Sequence, residues 1–301
     1  MKSIFIFACF TIVITINACN STGKESKTNN NVEAAWTDLL DKDLSKWDIY
    51  LGIPHKNSGI EGYEDVEDVK TGIALGLGNK NNVFSVIEEN NENILKITGE
   101  IFGGLVSKQE FENYHLTFQV KWGDKKWEPR LDAKRNNGML YHSVGAFGSG
   151  LWNTWMSSLE FEVEESNFGD YISINDANVR ALSPAIKKED GNFYFTPGAE
   201  MKSFNWAYEE TGRCFKSDDY EKPFGQWNTL ELYCFGDTAI HIVNGEVVMA
   251  IYQPEFYNGS DWIPMNKGKL QIQSEAAECY FKNIKIKPIT AMDDKYRNYL
   301  K

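Results

Sequence analysis

The chain has 301 residues, of which 42% are hydrophobic and 14% aromatic, so it is long enough for one large β domain or two smaller domains. Its formal net charge is −12 and its pI is about 4.9. No run of lysine and arginine is interleaved with aromatic residues, and these features argue against nucleic acid and anionic membrane surfaces as partners. Neutral or cationic molecules therefore remain as the possible ligands.

The first 18 residues have the features of a signal peptide. One lysine precedes an apolar run from Ile4 to Ile16, which is too short to span a bilayer. The run ends in a sequence that resembles a bacterial lipobox and predicts lipidation of Cys19; a plain signal peptide with a chance cysteine is the alternative. Residues 19–34 are polar, which predicts a flexible tether. We therefore expect an exported lipoprotein, periplasmic or on the cell surface, that contacts the membrane only through its lipid anchor.

Beyond residue 35 the hydrophobic pattern mostly has a period of two, which is typical of β-strands. In the sequence HLTFQVKW, every second residue from Leu116 to Trp122 is apolar. Two apolar runs flank Asn244-Gly245, which favours a hairpin because both residues tolerate positive φ. The sequence KLQIQSEAAECYFKNIKIKPI predicts two strands separated by a break at SEAAE. Only the tail after Met292 suggests helical periodicity.

These short strands and their glycine-containing turns predict an all-β protein, a β-sandwich of two antiparallel sheets. No internal repeat and no interior linker interrupts the pattern, so we expect a single domain at 35–289 and a tail at 290–301. The segment 180–222 has the least regular pattern. We expect it to lie over one sheet or at its rim, where specificity is set.

Cleavage and lipidation would leave three cysteines, Cys214, Cys234 and Cys279. Their odd number and their spacing fit no metal-binding pattern. We expect buried thiols, with one disulfide among them as the alternative.

The sequence SLEFEVEESNFGDY places Glu160, Glu162 and Glu164 at alternate positions. In a strand the three carboxylates lie on one face, and the apolar residues between them lie on the other. An ordinary solvated face is the alternative, but glutamate has a low β propensity and like charges on one face repel each other. The spacing is similar to the E-x-D-x-E strand of laminarinase-type β-glucanases, in which the outer carboxylates act as nucleophile and acid/base.

Nearby residues support a binding cleft across one sheet. Upstream of the glutamates lie His142, Trp152 and Trp155, which have the imidazole and aromatic groups used in sugar sites. A second predicted strand presents polar residues at alternate positions, Gln271, Gln273 and Glu275. Two such strands would give the cleft an apolar face toward the core and a polar face toward a ligand.

Longer stretches carry a resemblance to a known family. They are WTDLLDKDLSKWDIYLGIPH, FSVIEENNENILKITGEIFGGLVSKQEFENYHLTFQVKWGDKKWEPR, NNGMLYHSVG, WMSSLEFEVEESNFGDY, WNTLELYCFGDTAIHIVNGEVV and GKLQIQSEAAECYFKNIKIKPI. In order and extent these stretches resemble the 3-keto-disaccharide hydrolase family, formerly a domain of unknown function, as found in Bacteroidetes-type lipoproteins. The resemblance implies a concanavalin A-like jelly roll and the cleavage of glycosides already oxidised to a ketone at C3.

Such a ketone acidifies the C2 proton, so a base at C2 and an acid at the leaving oxygen can expel the aglycone from C1. Addition of water then completes a net hydrolysis. The resemblance makes Glu160, His142, Glu162 and Glu164 the candidate catalytic residues, although many relatives carry glutamine at position 162. A divalent metal ion held by His142 and Glu160 could stabilise the enolate, but no compact ligand motif is present.

Candidate substrate-binding residues lie in the basic loop, among the tryptophans and on the polar faces: Arg130, Lys134, Trp152, Trp155, Asp170, Gln273 and Glu275. Structural roles remain as alternatives, including a hydrogen-bonded histidine at 142, a turn cap at 170, backbone contacts at 275 and a solvated basic loop.

Three functions remain open. The first is an exported enzyme that cleaves 3-keto-glycosides supplied by a separate sugar oxidoreductase, because the sequence has no G-x-G-x-x-G motif after a strand. The second is a direct glycosidase of the β-glucanase type. The third is a non-catalytic carbohydrate-binding lipoprotein, since this sandwich serves binding as readily as catalysis.

Overall fold

The computed structural model describes residues 34–300. The predicted signal peptide, the predicted tether up to residue 33 and Cys19 lie outside the described residues. Within them the first eleven strands are β1 (Thr37–Asp38), β2 (Trp47–Leu51), β3 (Gly76–Leu77), β4 (Phe84–Glu89), β5 (Glu92–Ile97), β6 (Gly103–Ser107), β7 (Phe111–Glu112), β8 (Tyr114–Lys126), β9 (Gly138–Val144), β10 (Ser157–Glu162) and β11 (Tyr171–Ile174).

The remaining described strands are β12 (Val179–Lys187), β13 (Phe193–Phe195), β14 (Met201–Phe204), β15 (Arg213–Cys214), β16 (Asn228–Phe235), β17 (Thr238–Val243), β18 (Glu246–Tyr257), β19 (Trp262–Pro264), β20 (Lys267–Ser274) and β21 (Ala277–Pro288). Three short 3-10 helices span Lys56–Ser58, Lys80–Asn82 and Asp294–Tyr299. No helix in residues 34–300 has the length and apolar character needed to cross a membrane.

The strands form two antiparallel sheets. The front sheet has nine strands in the order β15-β11-β10-β9-β20-β6-β2-β3, with β7 paired to β20. The back sheet has twelve strands in the order β13-β12-β18-β17-β16-β8-β21-β5-β4, with β1, β14 and β19 paired to β21, β12 and β18. Many neighbours, such as β9 and β20, are far apart in sequence because the chain crosses repeatedly between the sheets, as in a jelly roll. The predicted all-β sandwich is confirmed.

The hydrophobic core lies between the two sheets and fixes which way each strand faces. Leu116 and Phe118 of β8 and Leu159 and Phe161 of β10 are completely buried in it. Burial stabilises each such side chain by roughly 1.5–3 kcal/mol, so a one-residue slip of the strand register is costly. The alternate residues of β10 must therefore project from the outer face of the front sheet.

The predicted hairpin and the predicted two-strand segment are both present. Val243 of β17 pairs with Glu246 of β18, and Asn244 and Gly245 between them have φ of +50° and +94°. Strands β20 and β21 correspond to the two strands predicted in the second segment, and the break between them is only two residues long.

The segment 180–222 is more regular than predicted. Most of β12 and the whole of β13, β14 and β15 lie in it, and they pair with one another and with both sheets. The sequence pattern missed β13, β14 and β15 because they are only 3, 4 and 2 residues long. The tail after 289 packs on the outer face of the back sheet, where Met292 and Tyr296 contact Ile240 and Ile242.

Cys214, Cys234 and Cys279 are free and buried in the described structure. The expectation of buried thiols is therefore confirmed over the alternative of a disulfide.

Candidate active site

A row of carboxylates lies on the outer face of the front sheet. Glu160 and Glu162 project from β10 and are 3% and 1% exposed, and Glu164 lies two residues beyond the end of the strand. All three line a groove of about 260 Å³. The predicted shared face is therefore present, and it forms the floor of a cavity rather than a wet surface.

The groove crosses the centre of the front sheet. Glu160 pairs with Leu140 of β9 on one side and with Ile172 of β11 on the other. The remaining lining comes from β11, β15, β20 and five connections between strands: Arg130, Asn136, Leu151, Trp152, Trp155, Ile172, Ile174, Asp176, Trp206, Arg213, Gln273 and Glu275.

Gly138 on β9 makes room for the Glu160 carboxylate. A Cβ atom at position 138 would lie 2.1 Å from Glu160 Oε1 and 2.6 Å from Gln273 Oε1. The side chains of Glu160 and Gln273 therefore meet over the bare backbone of the strand between them. This glycine is needed for a close approach and not for a left-handed backbone, because its φ is negative or extended.

Two arginines hold the carboxylates in place. Arg130 Nη1 lies 2.8 Å from Glu275 Oε1, and its Nη2 lies 3.6 Å from Glu164 Oε1. Arg213 Nη2 lies 3.1 Å from the other oxygen of Glu164 and 2.6 Å from Asp170. Glu164 is thus held between two guanidinium groups. The cations offset part of the repulsion that four glutamates in one groove would otherwise produce.

Burial raises the pKa of three groove carboxyls, those of Glu160, Glu162 and Glu275. The pKa of Glu160 lies well above its ordinary value because the group is desolvated and because Glu275 lies nearby. The pKa of Glu162 is raised well above its ordinary value by burial and by Glu160. Burial raises the pKa of Glu275 to about 7, although Arg130 acts in the opposite direction. The groove therefore holds two carboxyls whose neutral form is favoured by burial and one, that of Glu275, which can exchange a proton near neutral pH.

Several buried polar atoms in the groove have no hydrogen-bond partner within the described structure. They include Glu162 Oε1, Gln273 Oε1 and Arg130 Nε. An unpaired buried donor or acceptor costs free energy. A polar ligand that forms hydrogen bonds with these atoms would remove that cost.

The structure corrects the prediction for His142. Strict alternation along β9 would place it on the outer face with Leu140, but a bulge and a φ of +50° at His142 turn the side chain away. Its Nδ1 lies 2.6 Å from Met265 O, and its ring packs edge-on against the core residues Tyr114 and Tyr141. Burial lowers the pKa of His142 to about 4, so the ring is neutral at pH 7.

His142 is not part of the groove lining, so the predicted metal pair of His142 and Glu160 is not formed. Among residues 34–300, no group of three or more histidine, cysteine, aspartate or glutamate side chains is arranged to hold a metal ion.

Three other predicted residues lie elsewhere. Asp170 is fully buried, accepts hydrogen bonds from Arg213 Nε and Nη2 and from Lys216 N, and so positions Arg213 rather than touching a ligand. Gln271 donates to Ser143 Oγ and Ser158 Oγ beneath the end of the groove. Lys134 is exposed and does not line the groove.

Trp152, Trp155, Arg130, Gln273 and Glu275 do line the groove, as the predicted substrate contacts require. Trp155 is 1% exposed and its Nε1 donates to a backbone oxygen of β6, so most of the indole is part of the wall. Trp152 is half-buried and packs against Trp155 with a centroid distance of 5.5 Å.

Sequence reasoning missed Arg213 and Trp206, both of which come from the segment 180–222. Trp206 is 43% exposed, but its Nε1 donates to Ser173 O at 3.0 Å. A Cβ atom on Gly212 would lie 2.5 Å from the Trp206 ring, so the ring lies directly against that backbone. A tryptophan that is both exposed and firmly held offers a flat face for a sugar ring. The sequence pattern indicated the segment 180–222 as a possible source of specificity, but it did not identify Trp206 or Arg213 within it.

Residues 35–287 match the family described as the 3-keto-alpha-glucoside-1,2-lyase-like domain. The chain belongs to this family. The resemblance inferred from the sequence is therefore confirmed. Membership of the 3-keto-alpha-glucoside-1,2-lyase-like family indicates, at the level of the family, an enzyme that acts on glycosides. No curated protein matches the sequence.

Among solved structures, the chain is similar to two candidate glycosyl hydrolases from Parabacteroides distasonis. The first is 17% identical, with 85% of this chain and 100% of that chain covered and a TM-score of 0.46. The second is 18% identical, with 84% and 94% covered and a TM-score of 0.43. The chain is also similar to LamAcat from Zobellia galactanivorans, at 12% identity, 85% and 98% coverage and a TM-score of 0.41.

Proposed function

We propose that the protein cleaves 3-keto-glycosides by elimination in the carboxylate groove, with Glu275 as the base and Glu160 as the acid. The observation that carries this proposal is that the groove contains two buried carboxyls, those of Glu275 and Glu160, which have different charged neighbours. Glu275 is in contact with Arg130, which favours its ionised form, while Glu160 is buried without a contact of that kind among its hydrogen bonds and ion pairs. At neutral pH one of them can hold a proton while the other is free to accept one.

In the first step Glu275 removes the C2 proton, and the electron pair moves onto the C3 oxygen to form an enolate. Arg130 and Arg213 supply the positive charge that stabilises this oxygen. In the second step the C3 ketone reforms, a double bond forms between C1 and C2, and the bond from C1 to the aglycone oxygen breaks. Glu160 donates its proton to that oxygen.

Addition of water to the resulting enone completes a net hydrolysis, with the hydroxyl on C1 and a proton on C2 that Glu275 donates after it has exchanged with solvent. Glu160 is ionised after the elimination and can take the proton of the attacking water. Without this addition the enzyme is a lyase. Both outcomes begin with the same abstraction of the C2 proton.

A matched pair of substrates tests the proposed reaction. We expect the protein to release aglycone from 3-keto-glucosides but not from the same glucosides without the ketone. Release from the unoxidised glucoside at a comparable rate would favour a direct glycosidase. No release from any 3-keto-glycoside, with sugar binding unchanged in Glu160→Gln, would favour a carbohydrate-binding protein.

The leaving group separates the two carboxyl roles. An aryl leaving group such as nitrophenol departs without protonation, whereas a sugar leaving group needs an acid. We expect Glu160→Gln to slow the release of a sugar by about 10²–10⁴-fold and the release of nitrophenol much less. Glu275→Gln should slow both reactions to a similar extent, because both need the base. Equal losses for both substrates in Glu160→Gln would contradict its role as the acid.

We further propose that the enzyme is an exported lipoprotein anchored through Cys19 and supplied with ketone by a separate sugar 3-oxidoreductase. The lipobox-like sequence supports the anchor, and the chemistry of the substrate requires a prior oxidation at C3. Mass spectrometry of the mature N-terminus from the native host tests the anchor. An unlipidated N-terminus would contradict it.

A further inference from the structure

A second cavity lies beside the carboxylate groove and is not used by the proposed reaction. Its volume is about 330 Å³. Its lining residues are Arg180, Asn205, Tyr208, Glu209, Tyr257 and Trp262.

One turn of the chain separates this cavity from the groove. Trp206 lines the groove, whereas Asn205 and Tyr208 in the same turn line the second cavity. The Asn205 side chain holds the turn, since its Oδ1 accepts hydrogen bonds from the backbone N of Ala207 and of Tyr208, each at 2.9 Å. Its Nδ2 donates to Val179 O at 2.8 Å. The two cavities therefore share a thin and firmly held wall.

Three aromatic rings line the cavity on the far side of this wall. Tyr257 of β18 and Trp262 of β19 are directly paired across a hairpin, with ring centroids 5.4 Å apart. Asn258 closes the hairpin by accepting hydrogen bonds from the backbone N of Ser260 and of Asp261. Tyr208 is 73% exposed. Half-buried and exposed aromatic rings that line a cavity are typical of a binding surface rather than of a core.

The charges of the cavity favour a neutral ligand. Arg180 lies 4.0 Å above the Trp262 ring, and its Nε donates to Glu255 Oε2 at 2.7 Å. Glu209 adds a further negative charge to the lining, so the single arginine is outweighed and an anionic sugar is disfavoured. Arg180 Nη2 also contacts Glu255, which leaves three of its five N–H groups to donate to hydroxyl oxygens. The C–H face of a pyranose ring can stack on the aromatic rings.

We propose that this cavity is a second sugar subsite, which binds a neutral sugar unit attached to the glycoside in the groove. The inference rests on the proposed function and adds to it the substrate class: an oligosaccharide or a glycosylated aglycone that extends over the Trp206 turn. Tyr208, Tyr257 and Trp262 provide the stacking surface, and Arg180 and Glu209 provide hydrogen bonds.

Calorimetric binding of unoxidised α- and β-linked gluco-oligosaccharides of one to five units tests this subsite without turnover. We expect affinity to rise by about tenfold at the chain length that reaches the second cavity, as expected for one added aromatic contact of about 1.4 kcal/mol. Trp262→Ala and Tyr208→Ala should each remove most of this rise, and Trp262→Phe should retain it. Trp36→Ala is the matched control, because Trp36 is 40% exposed and packs on His115 of the back sheet.

Affinity that is independent of chain length in both linkage series would overturn the proposal. A rise retained in Trp262→Ala and in Tyr208→Ala, each shown to be folded by circular dichroism, would also overturn it. The proposed reaction is judged separately, by aglycone release from 3-keto-glucosides with a one-ring aglycone. Cleavage of those substrates without length-dependent binding would contradict the proposed subsite alone. Length-dependent binding without any cleavage would contradict the proposed reaction alone.

Discussion

Replacement of Gly138 by alanine should displace the Glu160 carboxylate while leaving the fold intact. The added Cβ would lie 2.1 Å from Glu160 Oε1, and ordinary contact begins at 3.4 Å, so the oxygen must move by about 1.3 Å. The clash is with the ends of flexible side chains, Glu160 and Gln273, rather than with backbone. The backbone at position 138 is accessible to alanine because φ is not positive.

A misplacement of about 1 Å in an active site can cost about 10²-fold in rate, which corresponds to about 2.7 kcal/mol of transition-state stabilisation. We therefore expect kcat/KM of Gly138→Ala on a 3-keto-glycoside with a sugar leaving group to fall by about 100-fold. Replacing a strand glycine by alanine stabilises the folded state by about 0.4–1 kcal/mol where the conformation allows it, which offsets part of any strain. The Tm should therefore stay within a few degrees of that of the wild type.

Gly104→Ala is the matched control. Gly104 lies on β6 of the same sheet, and its added Cβ would lie 3.3 Å from Gln271 Oε1 and 3.7 Å from Trp155 Cδ1, which requires shifts of only a few tenths of an ångström. We expect kcat/KM of this variant to stay within about threefold of the wild type. If Gly138→Ala folds and retains wild-type kcat/KM, the position of the Glu160 carboxylate does not matter for catalysis and the reasoning fails.

Further predictions concern stability, pH and binding. Arg213→Met leaves the buried Asp170 carboxylate without its ion pair and should lower the free energy of unfolding by about 3–5 kcal/mol in urea titrations, whereas loss of a half-exposed ion pair costs only about 0–1 kcal/mol. Glu275 has a folded pKa of about 7 against an ordinary value of 4.5, so the folded state binds the proton more tightly and stability should fall as pH rises between these values. Glu275→Gln should reduce this slope between pH 5 and pH 7.5 in urea titrations, with a remainder from Glu160 and Glu162, whose pKa values are also raised. An unchanged slope would contradict the raised pKa of Glu275. His142→Asn tolerates the positive φ at that position and should lower Tm through lost packing, with kcat per folded molecule retained; loss of kcat in a folded variant would restore His142 to the active site. Trp206→Ala should raise KM by about tenfold with a smaller change in kcat, through the loss of a stacking face.

The face of each strand could be predicted from the sequence because strand periodicity is local. Leu159 and Phe161 are apolar and Glu160 and Glu162 are acidic, so burial of one set places the other on the opposite face whatever the rest of the fold does. The same reasoning failed for His142, because a bulge interrupts the alternation. That bulge depends on a distant glycine: a Cβ atom on Gly268 of β20 would lie 2.4 Å from the carbonyl carbon of His142. The alternation of residues along β9 does not reveal this contact between Gly268 and the backbone of His142.

Arg213, unlike Arg130, could not be predicted, for a related reason. Arg213 lies on a strand of two residues, and its position depends on pairing with β11 and on the buried carboxylate of Asp170. Asp170 was predicted to bind substrate because it lies in a stretch that resembles the family. In the structure Arg213 lines the groove, whereas Asp170 lies behind it and contacts Arg213.

Transfer of deuterium from C2 tests the proposed chemistry most directly. A 3-keto-glucoside labelled with deuterium at C2 is incubated with the protein, and the sugar product is analysed by mass spectrometry beside an enzyme-free sample that corrects for spontaneous exchange. Elimination removes the C2 label, so we expect a product without deuterium, a slower reaction than with the unlabelled substrate, and neither effect in Glu275→Gln. A product that forms at the wild-type rate and retains its deuterium would show direct displacement at C1 and would contradict elimination by the groove carboxyls.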